Sequence, residues 1–412
     1  MAFGLAMFAV EIIDLIADAL DRTDLLSLRY VCRELNRKTL RHFGYTCFRT
    51  VQTDLSRKSL QKLQELSEAE SLRHHVHILF IKIASTIHGR VYIDPEEQTL
   101  WPRHLSGYLE APLPGAQQLR DILLERLVNC RSFHIYGFDN VEQPYESGHL
   151  LPSDAVGIIL TVIAETSLPV KSFFVDYRHN QYSGRGRIDV KRLQMQPYQH
   201  PGFKSGWAYL QELYLDYYID SDDSDWVLNL ILHAPNLQKL WLNFSQGADV
   251  PLIHRLTSEH RLPRLQYLRL TCAHVTVGQI SKLLTNSHDS LQELALRFVT
   301  IGSGGSWVEI FRELRANFPR LGSISLGWLR EETAEERMII SYPSLQNNPL
   351  VPGSERTIPR SDCRLLQPLG LPITLTYRKW CGEMRVFHVR YHGSQMDVVL
   401  KALIESAESH KT

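Results

Sequence analysis

Aliphatic residues recur along most of this chain in one short phrase, L-x-x-L-x-L, and the segments before each phrase carry apolar residues at helical spacing. The clear cases are LQELYL from Leu210, LQKLWL from Leu237, LQYLRL from Leu265, LQELAL from Leu291 and LGSISL from Leu321. Their starts follow one another at a nearly constant interval. Looser versions begin at Cys130 (CRSFHI) and Val170 (VKSFFV), each at a longer interval before the next start, and a weaker one lies in HHVHILFI. Alternation within the phrase predicts a strand with one buried face. The approach segments WVLNLILHAPN, VGQISKLLTNSHDS and WVEIFRELRANFPR predict amphipathic helices. One strand and one helix of this size bury too little on their own, so neighbouring units must stack. The expectation is an α/β chain with an irregular solenoid of parallel strands and helices over residues 127–330.

If the three aliphatics of each phrase point inward, the residue between the last two points onto the open sheet face. That column runs His134, Phe174, Tyr214, Trp241, Arg269, Ala295, Ser325, and Asp176 and Asp216 follow two of its rings. Exposed aromatics beside polar groups are what a protein-binding patch contains, so Phe174, Tyr214, Trp241 and Arg269 are the candidate contacts for a target protein. The competing reading is structural: an insertion such as 84–116 or 177–207 covers the face, or the rings are cross-strand ladders that stabilise the sheet without a ligand.

The flanks differ from this pattern. After a Pro-rich polar stretch at about 341–370, LPITLTYRKW and MRVFHVRYHG predict two strands and QMDVVLKALIESA a helix, so residues 331–412 would be a loop and a cap on the stack. Residues 51–126 are expected to hold a linking helix, an insertion and a first irregular repeat. Residues 1–50 carry helices with surplus apolar surface. In VEIIDLIADAL, Glu11, Asp14 and Asp18 share one narrow sector, while aliphatics fill the remaining arc of roughly 220°, about twice what a helix packed on one side needs. TDLLSLRYVCREL predicts a second helix capped by Thr23 or Asp24, and NRKTLRHFGYTCF a third. About 45 residues is near the lower size limit for independent stability, so that surplus should face another protein or the rest of this chain.

Residues 8–40 resemble an F-box. Glu11-Ile12-Ile13, then Asp24-Leu25-Leu26, then Leu28-Arg29-x-Val31-Cys32-Arg33 match that family's pattern in order and spacing. The resemblance covers about a tenth of the chain and departs at one place: Phe8-Ala9 stands where the family usually has Leu-Pro, the Pro that fixes the entry to the first helix. It implies a short three-helix module that binds a Skp-type adaptor and through it a cullin. The contacts carried over are Phe8, Ala9, Ile12, Ile16, Leu20, Leu25, Leu28, Val31 and Cys32, some of which must instead hold the helices together. The irregular repeats resemble the divergent leucine-rich repeats of fungal-type F-box proteins. Together these imply a target-recognition subunit of a Skp–cullin–F-box ubiquitin ligase, acting by proximity and not as an enzyme. The alternative is a leucine-rich-repeat scaffold or interaction protein with no ligase role.

Composition narrows the field. Lys plus Arg equals Asp plus Glu at 45 each, so no global field favours nucleic acid or an anionic membrane. The six cysteines are scattered with no C-x-x-C pair, which argues for reduced thiols in the cytoplasm or nucleus and against a disulfide or zinc framework. The apolar start MAFGLAMFAV lacks a basic flank and is interrupted at Glu11 and Asp14, so no secretory signal is expected, and no run suits a spanning helix.

Other motifs are weak. IGSGGSW lacks the G-K-[ST] of a phosphate loop, and Trp307 occupies the place of a final glycine. DSDDSDW lacks the central Gly and terminal Glu of a calcium loop. HHVH has no ligands at metal spacing nearby, and no cofactor is expected. YSGRGRIDVKRLQ mixes basic and aromatic residues as an RNA-binding loop does, but it is a single loop in a neutral chain. No nucleophile elbow is present.

Overall fold

The structure, a computed structural model, describes residues 4–83, 99–105, 107–139, 150–179, 184–193, 197–245, 251–259, 262–302, 304–333, 335–342, 363–366, 373–380 and 383–411. Most of the Pro-rich stretch at 341–370 and parts of the two insertions lie outside these residues. The fold is mixed α/β, and it divides into two compact units: Met1–Gly184 with Lys191–Trp207, and Arg185–Val190 with Ala208–Thr412.

The first unit opens with α1 (Val10–Asp18), α2 (Arg22–Val31), α3 (Arg33–Lys38) and α4 (Leu40–Phe48). These are four helices where the pattern suggested three. Cys32 is extended (φ −160°, ψ 163°), so α2 stops at Val31 and TDLLSLRYVCREL is divided between two helices. Thr39, at φ −89° and ψ 1°, ends α3 and divides the third segment. The cap of α2 is Asp21, whose carboxylate accepts from the Asp24 N–H at 2.8 Å, and not Thr23 or Asp24. Ile13, Ala17, Leu25 and Leu35 form the small core of this module. Arg29 stitches it together: Nη1 donates to the Asn36 carbonyl (3.0 Å) and Thr39 Oγ1 (3.3 Å), and its guanidinium lies 3.9 Å from the Phe43 ring centroid.

Four strands follow: β1 (Thr50–Thr53), β2 (Ile78–Ile83), β3 (Ser132–Asp139) and β4 (Ser172–His179), with α5 (Arg57–Glu68), α6 (Glu70–Arg73), α7 (Pro114–Asp121) and α8 (Pro152–Thr166) between them and α9 (Pro201–Trp207) after them. All pair parallel and in chain order, so each successive pair is joined by a crossover connection and not by a hairpin. The three looser phrases therefore form adjacent strands. Their inward residues Val76, Leu79, Ile81, Cys130, Phe133, Ile135, Val170, Phe173 and Val175 are buried. The ring of Trp207 fills the core between Phe173 (5.3 Å) and Phe203 (4.9 Å).

In the second unit β5 (Glu212–Ile219), β6 (Lys239–Phe244), β7 (Tyr267–Thr271), β9 (Glu293–Arg297) and β11 (Ser323–Gly327) are again parallel and in chain order, interleaved with α10 (Ser224–Leu232), α11 (Pro251–Ser258), α12 (Val277–Thr285) and α13 (Trp307–Asn317). All fifteen inward aliphatics of the five clear phrases are buried. Here the sequence pattern missed a recurring corner. Cys272, Phe298 and Trp328 each follow a strand directly and each sits in the left-handed region, at φ 59°, 54° and 55°. That conformation costs a non-glycine residue about 1–2 kcal/mol. It turns the chain into β8 (His274–Val275), β10 (Thr300–Ile301) and β12 (Arg330–Glu332), which pair parallel as a second, smaller sheet. Each corner falls at the same place relative to the start of its phrase, at Leu265, Leu291 and Leu321.

The parallel run ends on an antiparallel meander. β14 (Cys363–Leu366), β15 (Ile373–Trp380) and β16 (Glu383–His392) pair in sequence, with β16 against β11. Helix α14 (Met396–Ser406) packs beside α13, where Arg315 Nε meets Asp397 Oδ1 at 2.6 Å. Strands β13 (Arg337–Ser341) and β17 (Glu408–Lys411) complete the smaller sheet.

Candidate functional site

Register aligns the column that alternation predicted. In the first unit Phe80 lies beside His134 and His134 beside Phe174, whose rings are 4.1 Å apart. In the second unit Tyr214 neighbours Trp241, Trp241 neighbours Arg269, and Ala295 and Ser325 continue the row. Tyr214 and Trp241 have ring centroids 5.3 Å apart, Tyr214 and Tyr267 stack at 6.4 Å, and the Arg269 guanidinium lies 3.6 Å from the Trp241 centroid. Each of these side chains is half-buried, so the column is neither flat solvent-facing surface nor core. Burial, with Tyr267 and nearby carboxylates, pushes the Tyr214 hydroxyl up to about 12, keeping it a neutral donor. Phe174 belongs to the first unit; Tyr214, Trp241 and Arg269 belong to the second. Beside the column, Asp216 accepts a buried hydrogen bond from Asn243 Nδ2 at 3.0 Å, so this carboxylate braces the sheet. Tyr267 is the member that the column pattern left out, because it lies one row away.

The N-terminal module presents a different surface. On α1 two apolar stripes run side by side. Ile13 and Ala17 are buried against the other helices, whereas Ile12, Leu15, Ile16 and, at the C-cap, Ala19, at i, i+3, i+4 and i+7, form an outer stripe. Leu15 is 67% exposed, Val31 69% and Tyr30 87%. Of the carried-over contacts, Phe8, Ala9, Ile12 and Val31 are exposed and Ile16, Leu20, Leu28 and Cys32 half-exposed, while Leu25 is wholly buried and holds the helices together. Met7, Val10, Leu15, Tyr30 and Tyr45 are exposed apolar residues that the motif match did not supply.

This module is joined to its own unit through α4. A Cβ on Gly44 would meet His75 Cδ2 at 2.2 Å, so the helix approaches that ring at backbone distance. One histidine of HHVH is thus a packing residue.

The departure at position 9 has a structural counterpart. Lys38 Nζ donates to the Ala6 and Phe8 carbonyls, both at 2.8 Å, and clamps the entry to α1. Ala9 itself has φ −58° and ψ 154°, and Phe8 has φ −68° and ψ 153°, backbone angles that suit a proline and the residue before one. Ala9→Pro is therefore expected to raise stability by about 0.4–1 kcal/mol through loss of unfolded-state freedom. Urea unfolding measures it, and a destabilised variant would contradict this entry geometry.

Several weaker motifs resolve into local structure. Ser306 of IGSGGSW caps α13, and the Trp307 indole is buried and donates to the Arg330 carbonyl at 2.9 Å. In DSDDSDW the Asp220 carboxylate accepts from the Asp222 and Asp223 N–H groups, and Asp225 pairs with Arg255. YSGRGRIDVKRLQ lies partly outside the described residues; its Arg187 meets Asp220 at 3.3 Å. Among the described residues no group of three or more histidine, cysteine or carboxylate side chains is placed to hold a metal, and no helix is long and apolar enough to cross a membrane. Among the described residues the shortest hydroxyl–imidazole contact is Ser341 Oγ with His410 Nε2 at 2.7 Å, but Ser341 is wholly buried and the other ring nitrogen faces Arg385. A neighbouring guanidinium opposes the imidazolium that a general base must form.

No family model matches this sequence, and no curated protein matches it.

Proposed function

We propose that this chain is a target-recognition subunit of a Skp–cullin–F-box ubiquitin ligase. The N-terminal helices hold a Skp-type adaptor, and the strand–helix units, read as divergent leucine-rich repeats, hold a target protein on the sheet face. One observation carries the reading. Of the thirteen large apolar side chains exposed among the described residues, eight lie between Met7 and Tyr45. A monomer scatters such residues, whereas a cluster of this kind marks a surface that another protein covers. The outer stripe of α1 and the exposed end of α2 supply an apolar face fit for partner helices, and the F-box pattern names the partner class.

Ubiquitin transfer then belongs to other subunits, and this chain contributes effective concentration by tethering target and ligase. The test is co-expression of the full chain with a Skp-type adaptor. A stoichiometric complex that survives gel filtration, and is lost when residues 1–50 are removed, supports the ligase reading. A full chain that folds and leaves the adaptor unbound favours the scaffold alternative.

A further inference from the structure

The four strands of the first unit begin on a row of basic residues. Arg49, His77, Arg131 and Lys171 stand one place before β1, β2, β3 and β4 in turn. Backbone bonds make them neighbours: the His77 N–H donates to the Arg49 carbonyl at 3.0 Å, Arg131 to His77 at 3.2 Å and Lys171 to Arg131 at 2.6 Å. At about 4.8 Å for each strand interval the row is about 14 Å long. Helix α4 runs straight into its first member, because Arg49 keeps helical backbone angles. Arg41, Tyr45 and Arg49, at i, i+4 and i+8, therefore share one side of that helix and extend the path by about 12 Å.

The fold does not require these charges. The same place in four clear phrases of the second unit holds Gln211, Gln238, Gln266 and Gln292. Nor are the charges neutralised. Arg41, Arg49, His77 and Lys171 are exposed and Arg131 is half-buried, and among the described residues none of the five is within ion-pair distance of a carboxylate. Arg131 Nη1 is buried without a hydrogen-bond partner among those residues. The His75 ring, packed against α4, is held below its ordinary range first by burial and then by His77, His74 and Arg41, so every charged group acting on it is basic. The chain is neutral as a whole, which makes this a local field and not a consequence of composition.

The shape of the stripe narrows the ligand. A line of cations tracks an extended polyanion, where a compact anion would need a cup. Tyr45 is 51% exposed and its ring centroid lies 5.1 Å from the Arg49 guanidinium, a flat pair on which a base can stack. Asn129, two places before Arg131, donates to the His74 carbonyl at 2.7 Å and keeps its amide oxygen as an acceptor of the kind that a ribose 2′-hydroxyl meets. We propose that this stripe binds single-stranded RNA, with phosphates on Arg41, Arg49, Arg131 and Lys171 and a base on Tyr45. The site uses neither the outer stripe of α1 nor the aromatic column, so it stands apart from the ligase reading.

The experiment uses the full chain and a labelled uridylate dodecamer, with anisotropy read from about 50 to about 200 mM salt. Four phosphate contacts on a single strand give a slope of about −3 for log affinity against log salt. Arg49→Ala with Lys171→Ala should weaken binding at least tenfold and flatten that slope by about 1.4, while melting stays unchanged. Arg41→Ala with Lys171→Ala takes its place if the first pair melts early. Arg264→Ala with Arg320→Ala removes two exposed arginines of the second unit and should leave affinity and slope as they are. No binding at the lowest salt, a stripe variant that binds like the parent, or an equal loss in the second-unit pair would overturn the proposal. So would tighter binding of an oligoglutamate peptide or of phosphatidylserine vesicles, or equal binding of a deoxythymidylate dodecamer, since these identify an acidic protein, a membrane or DNA.

Discussion

Leu15→Asp and Val31→Asp are each expected to weaken adaptor binding by about 100-fold while leaving the melting temperature of the chain alone within a degree or two. The magnitude follows from truncating a central apolar anchor, which costs about 2 kcal/mol or more, with the added burden of a carboxylate buried in the complex. Stability should not move, because both side chains are about two-thirds exposed in the free chain. Leu25→Asp is the informative contrast. That residue matches the F-box pattern as well as Val31 does, yet its side chain is wholly buried among the N-terminal helices. It should unfold the module and lose the adaptor only for that reason. Circular dichroism with isothermal titration calorimetry separates the two outcomes. If Leu15→Asp and Val31→Asp bind the adaptor normally, the outer stripe of α1 and the end of α2 are not the docking surface.

That contrast shows where the sequence was legible and where it was not. Aliphatic periodicity located every strand of the main parallel runs from β2 to β11, because a strand buried on one face leaves a period-two record whatever its neighbours are. The same logic aligned Tyr214, Trp241 and Arg269 before any register was known. Periodicity could not sort the nine motif residues at the N-terminus. A helix with two apolar stripes looks alike whether one stripe or both are covered, and only the packing of α3 and α4 settles that Leu25 and Ile13 are inside. The corners at Cys272, Phe298 and Trp328 left no signal either. Left-handed backbone is normally announced by glycine or asparagine, and here the surrounding sheets impose it on a cysteine, a phenylalanine and a tryptophan. The smaller sheet was missed with them, since its very short strands carry no periodicity. The end of the parallel run was hidden for a different reason: β16 sets Arg390 beside Ser325 from far along the chain, and pairing of that kind is set by tertiary structure.

Asp223→Asn is expected to remove a large pH dependence of stability from the second unit. Asp223 precedes α10 and is buried beside Tyr217 and Trp226; its Oδ2, the Tyr217 hydroxyl and Trp226 Nε1 have no hydrogen-bond partner among the described residues. Burial, reinforced by the Asp220 carboxylate, pushes its pKa from 3.8 up to about 8. A raised acid pKa means that the folded state keeps a proton which the unfolded chain has released. The contribution of this group to stability is therefore greatest below pH 4, falls through the window from about 4 to about 8, and is level above it. Each pH unit within the window costs about 1.4 kcal/mol when the group acts alone. Asparagine keeps the shape and the neutral form at every pH, and no helix-capping bond is lost, because the Asp223 side chain makes none. Thermal or urea unfolding from pH 5 to 9 should thus show the two proteins diverging as pH rises, with the variant the more stable by several kcal/mol at pH 8. Curves that stay parallel across that range would mean that Asp223 is ionised and solvated in the folded chain, and that the packing around Tyr217 and Trp226 is looser than the structure has it.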